Sequence, residues 1–118
     1  MTAKRYKRYV KVLQITNDPD LKKEYIEWHE PGKVWPEIIQ GLKAVGVIDM
    51  EIFLDEDKLI MIMDMDADAD HDSAMEKLGT LPRQAEWEAL MDRYHVSRPG
   101  ANAKEKWMLI EKVFELPA

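Results

Sequence analysis

Tyr25 and His29 stand four residues apart. In a helix that spacing puts a phenol and an imidazole on one face, within mutual reach. Imidazole changes charge near neutral pH and phenol both donates and accepts, so the pair is equipped for proton transfer in a pocket. A plainer reading has Tyr25 filling the core and His29 capping the helix or lying on the surface. Four tryptophans, Trp28, Trp35, Trp87 and Trp107, are the second chemical resource. Sugars present apolar C–H faces that stack on indoles, so tryptophans near acids and amides suit carbohydrate binding. Core packing is the alternative, and for Trp107, in a strand-like segment, the preferred one. Trp35-Pro36-Glu37 also reads as a hydrophobic staple at a helix start.

The most visible charged feature is the alternating run Asp64, Asp66, Asp68, Asp70, Asp72. A calcium loop needs Gly at its sixth position and Glu at its twelfth. Starting at Asp64 gives Ala69 and Met75; at Asp66, His71 and Lys77; at Asp68, Ser73 and Gly79. The run therefore reads as a solvated strand end followed by a helix N-terminus, where acids are favoured. His71 lies among these acids, and His29, His71 and His95 have no metal-binding spacing. There is no Gly-x-Gly-x-x-Gly, no phosphate loop and no Gly-x-Ser-x-Gly. With no cysteine there is no thiol nucleophile, zinc finger or disulfide framework.

Six elements must position these residues. Tyr9 to Ile15 is rich in β-branched residues and reads as a first strand. Asp18 is a plausible N-cap with Pro19 at the first helical position, and Leu21, Tyr25 and Trp28 form one stripe. Pro31-Gly32 interrupts this helix. It resumes at Trp35, and Ile38, Ile39, Leu42 and Val45 keep the helical period up to Gly46. Val47 to Leu54 alternates, with Ile48, Met50, Ile52 and Leu54 on one face, and reads as a second strand. A polar turn at 55–58 makes a hairpin with a third, Leu59 to Met65. A short helix over Asp70 to Leu78 and another opened by Pro82 follow, the latter with Trp87, Leu90, Met91 and Tyr94 on one face. Residues 97–102 are a loop, and Trp107 to Leu116 reads as a fourth strand.

The order β-α-β-β-α-β is the ferredoxin-like split βαβ pattern, an α+β class with helices on one face of a four-stranded antiparallel sheet. Strand 3 carries Met61, Met63 and Met65 on one side and Ile60 and Ile62 on the other. Both faces are thus apolar, and an uncovered apolar face points to a homodimer. A curled sheet or a covering loop would also serve.

The chain has 118 residues, 46% of them hydrophobic, which suits one domain over 1–118 with one core. Seventeen Lys and Arg against 23 Asp and Glu leave a charge of -6, which works against nucleic-acid binding. The basic N-terminus has no apolar stretch after it, and no run approaches a membrane span, so a cytoplasmic location is expected with no membrane partner.

The ordered set Val12-Leu13-Gln14-Ile15, Asn17-Asp18-Pro19, Glu24-Tyr25-x-x-x-His29, Trp35-Pro36-Glu37, Ile52-Phe53-Leu54-Asp55, Trp87 and Val113-Phe114-Glu115-Leu116-Pro117 resembles the L-rhamnose mutarotase family, which includes members assigned to L-fucose. The resemblance implies a dimeric α/β barrel of ferredoxin-like protomers and a cofactor-independent enzyme that interconverts the anomers of a monosaccharide, a 6-deoxy-L-hexose. By position it makes His29 the proton-donating histidine, Tyr25 a substrate-binding tyrosine and Trp87 the first of two tryptophans at the sugar site; Trp35 is expected to bind substrate as well. Glu88 stands where such members have the second tryptophan, and Met50 where they have a substrate-contacting tyrosine. Two extra residues lie between His29 and Trp35. On the same fold, a non-catalytic small-ligand-binding protein or a heme- or quinone-handling relative is the alternative.

Overall fold

The computed structural model describes residues 5–96 and 107–117. The elements run β1 (Tyr6–Gln14), α1 (Pro19–Trp28), α2 (Pro36–Ala44), β2 (Val47–Asp55), β3 (Lys58–Asp66), α3 (His71–Leu78), α4 (Gln84–Met91) and β4 (Met108–Leu109). The strands form one antiparallel sheet in the order β2-β3-β1-β4. This is the ferredoxin-like arrangement, with each helical region doubled. The loop at 97–102 lies outside the described residues.

Local chemistry sets the helix boundaries. The Asp18 carboxylate accepts from the amides of Asp20 (2.9 Å) and Leu21 (3.1 Å), and Pro19 fills the first helical position. Helix α3 begins the same way, with Asp70 accepting from the Ser73 amide at 2.9 Å. Helix α2 gives way to Gly46 at φ +102°, a backbone conformation that side chains rarely adopt. The Gly46 carbonyl accepts from the Asp66 amide at 2.8 Å, so this turn joins the helix to the far end of β3.

Alternation assigns the two sheet faces. Along β1, Tyr9, Lys11 and Leu13 pair with Met63, Met61 and Leu59. These side chains face the helices. Tyr25, Ile38, Trp87 and Met91 pack with Leu13 and Leu59 in one cluster. Ala74 and Leu78 pack with Met61, Met63 and Met65 in a second. The opposite face carries Val10 and Val12 beside Ile62 and Ile60, Phe53 from β2 and Met108 from β4. None of these belongs to either buried cluster.

Three expectations are corrected. Strand β2 does not alternate from its start, because the ladder shifts between Val47 and Asp49. Ile48 is the extra residue of a bulge, 58% exposed, and Val47 takes the inward place opposite Met65. Asp64 is not a solvated member of the acid run. It is buried on the open face, where Arg8 directly across the ladder donates two hydrogen bonds to it, at 2.8 and 3.0 Å. That bidentate pairing holds the Asp64 carboxyl below its ordinary value. The fourth strand is far shorter than Trp107 to Leu116. It pairs with Val12 and Lys11, adds one bond from the Ile110 amide to the Val10 carbonyl, and then leaves the sheet. β-Propensity makes a strand only beside a partner ladder, and Val113, Phe114 and Leu116 are left exposed.

Gly46 offers a direct check on this architecture. A Cβ there would sit 3.2 Å from the Cβ of Ala69 as well as meeting the left-handed backbone. Gly46→Ala should therefore lose about 1–3 kcal/mol of stability in urea denaturation.

Candidate functional site

Helix α1 ends in a way that creates a proton-handling group. His29 is its C-cap residue, and its amide bonds back to the Ile26 carbonyl at 3.0 Å, three residues away rather than four. The Tyr25 carbonyl, which an unbroken helix would have paired with that amide, is thereby freed. It accepts instead from the His29 ring, with Nδ1 at 2.7 Å. A carbonyl oxygen can only accept, so Nδ1 carries the proton and the neutral ring keeps its lone pair on Nε2. Burial holds the imidazole below its ordinary value, against the opposing pull of this hydrogen bond. His29 is thus a neutral base at pH 7 with a fixed tautomer.

Aromatic rings complete the setting. The Tyr25 ring lies over the imidazole, centroids 4.3 Å apart and planes tilted by 31°. Trp87 meets His29 edge to face at 5.6 Å. Burial pushes the Tyr25 phenol well above its ordinary value, so the phenol is a hydrogen-bonding group and a poor acid at neutral pH. Trp28 braces the other end, donating from Nε1 to the Tyr94 hydroxyl at 3.0 Å.

Tyr25, His29 and Trp87 open onto a cleft of about 1030 Å³ between the helices and the sheet. Of the residues expected at the site, Glu88 and Met50 also line it. Trp35 is placed differently, and among the described residues it is not part of the lining. Its ring packs behind Trp87 at 5.2 Å, with the Arg83 guanidinium stacked 3.9 Å above it. Arg83 also donates to Glu37 at 3.3 Å, which ties Glu37 to this outer layer and away from the cleft. The tryptophans therefore divide into a wall, Trp87, and its buttress, Trp28 and Trp35.

Sequence reasoning missed several lining residues. Trp107 packs against both core clusters, as expected, and also reaches the cleft, as do His95, Gln84 and Lys11. The Trp107 ring lies 6.3 Å from His95, which in turn lies 5.9 Å from Tyr25. A signal for Lys11 existed: it falls between Tyr9 and Leu13 on the inward phase of β1. No signal marked Gln84, which lies on α4 three residues before Trp87. Among the described residues no group of three His, Asp or Glu is placed to hold a metal ion. Nor is any helix long and apolar enough to cross a membrane.

The family model for L-rhamnose mutarotase matches residues 8–116. The chain belongs to the L-rhamnose mutarotase family. An L-fucose mutarotase from Xanthomonas campestris is 36% identical over 105 residues, covering 89% of this chain and 84% of that protein. An L-rhamnose mutarotase from Acidiphilium cryptum is 31% identical, covering 85% and 90%. The crystal structure of an L-rhamnose mutarotase from Formosa agariphila superposes with a TM-score of 0.70 at 22% identity, over 94% of this chain and 99% of that one, and shows the shared fold. Family membership makes this chain an isomerase and favours the catalytic reading over a ligand-binding or heme- or quinone-handling protein of the same fold.

The neutral state of His29 has a thermodynamic consequence. Its folded-state value lies below the unfolded value of ~6.5, so the unfolded chain binds the proton more readily. The contribution of His29 to stability is complete above that pH and is lost progressively as pH falls from there through the lower folded-state value. Thermal melts from pH 7.5 down to 5 should show a smaller loss of Tm in His29→Asn than in the parent protein.

Proposed function

We propose that this mutarotase-family chain interconverts the α and β anomers of a 6-deoxy-L-hexose, L-rhamnose first and L-fucose next, without a cofactor. The observation that carries the reading is the fixed tautomer of His29, a half-buried neutral base on the wall of a cleft with ample room for a monosaccharide. The names of the relatives from Acidiphilium and Xanthomonas support the two sugars.

Mutarotation opens the pyranose and recloses it on the other face of the aldehyde. In the opening step, Nε2 of His29 takes the proton of the anomeric hydroxyl. The C1–O5 bond breaks, the anomeric oxygen becomes the carbonyl, and O5 acquires a proton. Both oxygens sit on C1, so the imidazolium formed on one can deliver its proton to the other, and charge is conserved within the site. Rotation about C1–C2 turns the aldehyde, and the steps then run backwards. The carbonyl of Tyr25, bonded to Nδ1, keeps the ring aimed throughout and stabilises the transient imidazolium. The Tyr25 hydroxyl orients the sugar. Trp87 supplies an apolar face for its C–H groups, and Glu88 and Met50 form the part of the wall where the family pattern changes.

Positioned acid–base catalysis contributes roughly 100- to 10,000-fold. His29→Gln should slow anomer exchange of L-rhamnose and L-fucose, read by saturation-transfer NMR, by about that factor while leaving a folded protein. Exchange at the parent rate would remove His29 from the mechanism.

The open sheet face supports a homodimer built as a dimeric α/β barrel. Val10, Val12, Ile60, Ile62 and Phe53 form an apolar surface beside the Arg8–Asp64 pair, and Phe114 and Leu116 in the tail are exposed as well. A second copy covers such a surface and gives the tail a ladder to join. A cytoplasmic location fits an enzyme acting on free monosaccharides. Sedimentation should report a dimer for the parent protein and a monomer for Ile62→Glu, which would bury an unpaired carboxylate in the interface.

A further inference from the structure

The inward face of β1 reads Tyr9, Lys11, Leu13. Tyr9 packs against the methionine cluster and Leu13 belongs to the aromatic one. Lys11 stands between them on the floor of the cleft, opposite Met61. It is only 5% exposed. An aliphatic side chain would fill this place at no electrostatic cost, whereas a buried ammonium is expensive unless it finds a partner. Among the described residues none lies within hydrogen-bond or ion-pair distance of its Nζ. Asp72 acts on it only through space, and burial brings it down to about 8. At neutral pH it therefore remains mostly a cation.

A second polar atom shares the cleft. His71, whose ring lies 4.6 Å from that of Tyr9, has Nδ1 bonded to the Asp72 carboxylate at 3.0 Å. Its Nε2 is buried without a hydrogen-bond partner. Both side chains line the cleft, as do Tyr25, His29 and Trp87. Lys43 also lines it, together with the acidic residues Asp49, Asp72, Glu76, Glu88 and Asp92, so acids outnumber the lysines. An anionic ligand would meet these, so the partner suited to Lys11 is neutral and rich in lone pairs.

We propose that Lys11 is a specificity-determining residue of the sugar site, its ammonium donating from the cleft floor to a ring hydroxyl of a neutral monosaccharide. The inference rests on the mutarotase reading and deepens it. Tyr25, His29 and Trp87 serve the anomeric centre and one apolar sugar face. Lys11 reads a hydroxyl elsewhere on the ring, and a sugar lacking that hydroxyl leaves a buried cation unpaired. Such sites discriminate strongly against the deoxy analogue.

Two readouts separate this role from a structural one. Lys11→Met removes the buried charge, so it should raise Tm. It should also weaken the binding of L-rhamnose or L-fucose, followed by tryptophan fluorescence, by roughly 10- to 100-fold, the usual worth of a hydrogen bond to a charged group. Lys11→Gln, which keeps a donor, should recover part of that loss. Among monodeoxy analogues of the bound sugar, one should bind the parent protein as poorly as the full sugar binds Lys11→Met, with no further loss in the variant. Equal sugar affinity in parent and Lys11→Met would overturn the proposal. So would a loss of Tm together with affinity, which would make Lys11 a packing residue. A parent protein that binds these sugars without exchanging their anomers would sink the mutarotase reading and leave the Lys11 assignment to the affinity ratio. A parent that neither binds nor exchanges any of them would overturn both.

Discussion

One freed carbonyl organises the site. A helix must leave its last carbonyls without amide partners, and most chains satisfy them with water or a glycine turn. Here α1 tightens at His29, and the oxygen released at Tyr25 captures the imidazole of the residue that caused the tightening. The same bond decides which nitrogen is basic, holds the ring against that of Tyr25, and presents its edge to Trp87. An aromatic layer backs the rings around this bond. Trp28 and Trp35 back the Trp87 wall, Arg83 covers Trp35, and Glu37 ties down Arg83.

The sheet answers two demands that pull in different directions. Its helix-facing side combines a packed core with a polar cleft, and its other side is apolar yet carries no helix. The Arg8–Asp64 pair sits on that second side directly across the β1–β3 ladder. Its value is geometric: a bidentate guanidinium–carboxylate pair fits one register of the two strands and no neighbouring one. Register in turn decides that Lys11 and Leu13 face inward while Val10 and Val12 face outward. A polar pair on the open face thus helps to fix which side chains line the cleft.

Much of this was legible in the residues. Asp18-Pro19, the Leu21-Tyr25-Trp28 stripe and the Met61-Met63-Met65 alternation each encode a local element directly, and their order limits the topology to the ferredoxin-like one. Tyr25 and His29 were legible as a pair because helical spacing is rigid. The plainer reading of Tyr25 as core and His29 as a cap also holds. What it did not give is the Nδ1 bond to the Tyr25 carbonyl, because a cap that frees a carbonyl has no residue signature. Trp35 and Trp87 are the same residue type, and only packing separates buttress from wall. Asp64 belongs to a run that looks uniformly solvated, and its partner Arg8 lies 56 positions away. The exposed fate of Val113 and Phe114 was equally hidden, since β-propensity describes a residue and pairing describes its neighbours.

The bulge at Ile48 carries a consequence for how this chain can vary. Val47 and Asp49 pair with Met65 and Asp64, which are consecutive on β3. Removing Ile48 would close the ladder without altering the partner or the face of any other residue in β2. Deleting a residue at Glu51 or Phe53 would instead turn the rest of the strand over and disrupt the hairpin with β3. Strand β2 therefore has one position where the chain can shorten without disturbing Met50 in the cleft wall. Length variation within β2 should gather there, at the start of pairing on an edge strand.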